Sequence, residues 1–121
     1  MLDRFECSLD VYLAAIFAEQ LSAVIESAGF SEVLRIPEPH VTEYRRNDDL
    51  IILQVGHPQA HKQSVAVESE STDVSPLVAA AVRDTIVEVS DQLLGSLPWI
   101  DCASVRVEIR SHLSNLVTPN R

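Results

Sequence analysis

The chain has 121 residues, 46% apolar and 22% charged, and its 18 acidic against 9 basic side chains give a formal net charge of −9. One domain of that size buries roughly two-thirds of the surface its unfolded chain exposes, so neither a metal nor a disulfide framework is needed to hold a core. A net anion repels phosphate backbones and anionic lipid, which argues against sequence-specific nucleic-acid binding and against a membrane-surface role.

Only 5% of the residues are aromatic, so aliphatic side chains must fill the interior. Cys7 and Cys102 lie far apart with no CxxC spacing, and free thiols in a reducing compartment are expected. Met1-Leu2-Asp3-Arg4 leads into acidic and polar residues, not into an apolar export signal. No stretch approaches the ~20 apolar residues of a membrane span.

In chain order, Leu9, Tyr12, Leu13, Ile16, Phe17, Gln20, Leu21, Val24, Ile25 and Ala28 recur at helical spacing, predicting an amphipathic helix over 9–28. Ser8 is its expected N-cap, with Asp10 in the first turn, and Gly29 supplies the stop. Glu32–Ile36 reads as a short strand ended by Pro37-Glu38-Pro39, whose missing amide donors place it at a sheet edge. His40–Tyr44 resumes an extended path, and Arg45-Arg46-Asn47-Asp48-Asp49 reads as an exposed connection.

Leu50–Gly56 is a short apolar run between turn residues, the signature of a central strand covered on both faces. On that reading Ile52→Asp buries an unpaired charge and unfolds the domain. Gln59–Gln63 is expected to be a mobile loop, and Ser64–Glu70 a third strand with an acidic, wet end. Ser75 and Pro76 form an N-cap and first-turn pair opening a second helix to about Leu94, with Val78, Val82, Ile86, Val89 and Leu93 as its stripe. Ala103–Arg110 alternates cleanly, with Val105, Val107 and Ile109 facing in and Arg106, Glu108 and Arg110 facing out. The tail over 111–121 keeps Leu113, Leu116 and Val117.

These elements predict an α+β fold: a mainly antiparallel sheet of about four strands, with two amphipathic helices packed on one face. A single domain over 1–121 is expected, with its core in 8–110. The other sheet face is left to water or to a partner.

Chemistry-bearing patterns are sparse. His57 and His61 have the spacing of helical zinc ligands, but Pro58 between them points to a loop, and no motif nominates a third ligand. Glu68 with Glu70 and Asp48 with Asp49 lie in wet turns, without the desolvating pocket an acid/base pair requires. The three glycines are scattered, so no phosphate-cradling loop forms. No catalytic residue, metal or cofactor is nominated, and the expectation is a protein that is not an enzyme.

Phe30-Ser31-Glu32-Val33-Leu34-Arg35-Ile36-Pro37 follows the first helix and precedes Asp49-Leu50-Ile51-Ile52-Leu53-Gln54-Val55-Gly56-His57-Pro58, after which come a strand, a long helix and a closing strand. That layout resembles the small α+β tail-terminator and head–tail completion proteins of tailed phages, over roughly 8–110 and by pattern only. The resemblance implies a hexameric ring in the neck or tail of a virion, assembled in the host cytoplasm beside other neck or tail proteins, with a lumen through which DNA passes. A ring needs two different patches that meet on successive subunits. The candidates are Tyr44, Arg45, Arg46, Asp48 and Asp49 on one side, and Arg106, Glu108 and Arg110 on the other. A reading from another class is a small cytosolic adaptor or regulatory subunit, non-catalytic, binding one protein partner through the open sheet face.

Overall fold

The computed structural model describes residues 3–37 and 40–96. Within them the element order is β1 (Asp3–Asp10), α1 (Val11–Ser27), β2 (Ser31–Pro37), β3 (His40–Arg46), β4 (Asp49–Val55), β5 (Lys62–Ser69) and α2 (Ser75–Ser96). The five strands form one antiparallel sheet in the order β1-β5-β4-β3-β2. It is an α+β fold, as the hydrophobic patterning predicts.

Alternation sorts the sheet into two faces. Phe5, Cys7 and Leu9 of β1, Val65 and Val67 of β5, Ile51 and Leu53 of β4, and Tyr44 of β3 are all buried. Ala14, Ile16, Phe17, Leu21 and Ile25 of α1 pack into the same core cluster, where the rings of Phe5 and Phe17 meet edge to face with centroids 6.1 Å apart. Val78, Ala81, Val82, Ile86 and Val89 carry the inner stripe of α2, which lies against α1. Thr85 interrupts that stripe at no cost, because its buried hydroxyl donates to the Ala81 carbonyl at 2.7 Å.

Several expectations change. Residues Asp3–Asp10 form a strand, which takes Ser8, Leu9 and Asp10 away from the predicted helix start, so Ser8 is not a helix cap: Asp10 is, its carboxylate accepting from the Tyr12 amide at 3.0 Å. Gly29 does end the first helix region, at φ 98, a conformation that L side chains rarely adopt. The predicted mobile loop is a tight hairpin instead. Gln59 and Lys62 exchange backbone bonds of 2.7 and 2.9 Å across Ala60 and His61, both at positive φ (50 and 68). At α2, the Ser75 amide is taken by the Asp73 carboxylate and the Val74 amide by Asp3 of β1, so capping comes from two carboxylates. The predicted strand 103–110, the tail 111–121 and Cys102 lie outside the described residues.

Candidate interaction surface

Residues opposite one another in a ladder share a face, and the register therefore maps the face that, among the described residues, the helices leave uncovered. One row across it reads Arg4, Glu68, Ile52, Glu43, Leu34, from β1 to β2. The next reads Glu6, Ala66, Gln54, Val41, Ile36. The β1 end is charged: Arg4 bonds Glu68 at 2.6 Å and reaches Glu6 at 3.4 Å. The β2 end is apolar, with Leu34 45% and Ile36 39% exposed beside half-buried Val41 and Ile52.

Ile52 thus corrects the prediction of a strand covered on both faces. Ile51 is fully buried, but Ile52 stands on the open face at intermediate exposure. An apolar run without polar alternation signals two covered faces in a parallel sheet. Here the run persists because the open face itself carries an apolar patch.

Among the described residues β2 is one edge of the sheet, with β1 at the other, and all seven of its residues are exposed, Val33 the most at 54%. Its pairing with β3 slips between Glu32 and Leu34, leaving Val33 as a bulge. Glu32 and Arg35 consequently fall on one face, opposite Tyr44 and Thr42, and form an exposed ion pair of 2.6 Å. The Glu32 carboxylate raises the already high guanidinium pKa of Arg35.

A groove of about 420 Å³ opens at the β3–β4 end of the uncovered face, lined by Arg45, Asp48, Leu50, Ile52, Glu68 and Glu70 among others. Three carboxylates against one guanidinium give it an acidic character. A second groove, of about 330 Å³, is polar and lies at the opposite end, where Ser8, His57, Gln59, Lys62 and Ser64 meet. Among the described residues, no three His, Cys, Asp or Glu side chains come close enough to hold a metal ion. No helix among them is long and apolar enough to cross a membrane.

The predicted charged connection is mostly strand: Tyr44, Arg45 and Arg46 end β3, Asp49 begins β4, and only Asn47 and Asp48 turn between them. Tyr44 is not a surface residue: it is 1% exposed, and its hydroxyl shares a 2.8 Å hydrogen bond with Ser22 of α1. Burial pushes its pKa up, against the opposing effect of that bond. Arg46 is half-buried, with its guanidinium 4.3 Å from the Phe30 ring centroid, donating to the Ala28 carbonyl at 2.7 Å and to Asp49 at 3.2 Å. It closes the end of α1 and fixes the hairpin beneath. Arg45 and Asp48 are exposed and line the acidic groove. Arg106, Glu108 and Arg110 lie outside the described residues. Val33, Leu34 and Ile36 went unnoticed in the sequence, because a short strand ending in proline looks equally consistent with a half-covered edge.

Cys7 is buried, and burial first, then the negative charge of Glu6, pushes its thiol up to about 12, so it is inert as a nucleophile. No family model matches the chain, and no curated protein matches it either.

Proposed function

We propose that this chain is a self-associating structural subunit, which builds a ring at the neck or tail end of a tailed-phage virion, as a tail terminator or head–tail connector. The observation that carries the reading is the uncovered sheet face, whose apolar patch at Val41, Ile52, Leu34 and Ile36 is bordered by charges of both signs. A face of this kind suits protein contact, and contiguous exposed apolar area marks interaction sites. The order of elements, with its proline-ended edge strand and long packing helix, supports the resemblance to neck and tail proteins. The net charge of −9 suits a lumen through which DNA slides without adhering.

The test is particle mass in solution by light scattering, with negative-stain imaging. Closed or stacked rings are the expected result; a monomer or dimer at all concentrations removes the ring. The acidic groove at Asp48, Glu68 and Glu70 favours a second reading, a cytoplasmic adaptor or regulatory subunit that holds a basic segment of one partner. Under that reading Arg45→Glu strengthens binding of a Lys/Arg-rich peptide and Glu68→Gln weakens it.

A further inference from the structure

We infer that the β2 edge pairs with the β2 edge of a second copy of this chain about a two-fold axis, so that two five-stranded sheets run on as one. This contact shares Leu34 and Ile36 with the open-face patch but is made through the strand edge, and it does not depend on the ring reading.

A strand edge invites pairing through its outward amides and carbonyls, and proteins that avoid it blunt the edge with repelling charges, prolines or bulges. β2 carries a bulge and a terminal proline, yet it also displays Val33, Leu34 and Ile36 to solvent at 39–54% exposure. Its two charges are opposite in sign and self-complementary. Antiparallel pairing about a two-fold axis brings Glu32 beside Arg35 of the second copy and Arg35 beside its Glu32. Ser31 then lies beside Ile36 of the second copy, and the Val33 and Leu34 side chains of both copies gather at the axis.

Neighbours in such a pair must share a face. Residues three apart in a regular strand do not, and the Val33 bulge is what places Glu32 and Arg35 together on the Tyr44 side. By the same count Ser31, Leu34 and Ile36 share the uncovered face. The bulge therefore makes the charge exchange and the apolar contact compatible in one register. The two intrachain ion pairs merge into a four-charge cluster of alternating sign. A strand-to-strand contact of seven residues falls below the roughly 1,200 Å² of a standard interface, so the association is weak.

Sedimentation velocity across a concentration series up to the millimolar range reads it directly. The wild-type chain doubles its mass, to a dimer or to paired assemblies. Arg35→Glu alone and Glu32→Arg alone each weaken the doubling at least about tenfold, since like charges then face each other. Leu34→Asp abolishes it. Circular dichroism of all three variants stays that of the wild type, because every altered side chain is exposed. The deciding arm mixes Arg35→Glu chains with Glu32→Arg chains: the mixture associates while each variant alone does not, although neither chain regains its own internal ion pair. A wild-type chain that never doubles overturns the inference, as do single variants that double normally or a mixture that fails to associate. Rings that persist without doubling in the Arg35→Glu variant leave the ring reading intact, so the two can fail independently.

Discussion

Ile51 and Ile52 are identical in chemistry and adjacent in sequence, and the fold treats them oppositely. Ile51 packs against the core beneath the helices, so Ile51→Asp buries an uncompensated carboxylate and should abolish cooperative folding. Ile52 is partly exposed and sits between Glu43 and Glu68, so Ile52→Asp should leave a folded, less stable protein. Urea titrations of both variants check the pair; equal behaviour would place the two residues in equivalent surroundings. Cys7 offers a second measurement at this scale. With its thiol pushed up to about 12 and its side chain buried, it should resist a thiol-labelling reagent at neutral pH until the protein is unfolded. Rapid native labelling at Cys7, followed by peptide mapping, would place β1 away from the core.

Turn chemistry is where element-level patterning lost information. The β4–β5 connection, residues 56–61, is tipped by a two-residue turn inside the Gln59–Lys62 bridge whose central positions both take positive φ, a task suited to Asn and Gly, but Ala60 and His61 perform it. With neither signal residue present, the segment 59–63 reads as a loop. Ala60→Asn together with His61→Gly should stabilise the protein by about 1 kcal/mol, net of the greater freedom glycine gives the unfolded chain. A shift of the urea midpoint to higher concentration measures it. The two helices and strands β2, β4 and β5 were legible from their apolar runs and bounding turn residues, and β3 only as an extended path after the prolines. β1 was not: Phe5, Cys7 and Leu9 alternate with Arg4, Glu6 and Ser8, but Leu9 also fits the helical stripe that follows, and the helix absorbed it. Of the surface, Arg45 and Asp48 were readable as exposed polar residues, although Arg45 lies in β3 and only Asp48 in the turn. Tyr44, next to them in sequence, points inward to Ser22, and only the strand's register reveals that.

For the molecule as a whole, the carboxylates that fasten its loops set an acid limit. The Ser71 hydroxyl and Arg46 hold Asp49 below its ordinary value of 3.8, and the Ser75 amide does the same for Asp73. A carboxyl with a lowered folded pKa takes up protons more readily in the unfolded chain. Its contribution is therefore complete above 3.8 and fades as the pH falls through the lower folded value. Asp49→Asn should reduce stability at neutral pH and flatten the acid limb, as read by thermal melts across a pH series. Assembly belongs to this scale too: among the described residues the apolar patch of the open sheet face runs out to the β2 edge at Leu34 and Ile36, and solution mass is the quantity that reports on both.

The carbonyl of His61, in the strained hairpin, accepts the amide of Val11, the first residue of α1, at 3.0 Å. A helix start and a turn fifty residues downstream are thereby latched. The Val11 amide proton can exchange with solvent only when the latch opens, so its deuterium uptake is a local clock for hairpin release. A ligand or neighbouring subunit that seats near His57 and Lys62 would slow that clock without touching the helix at all.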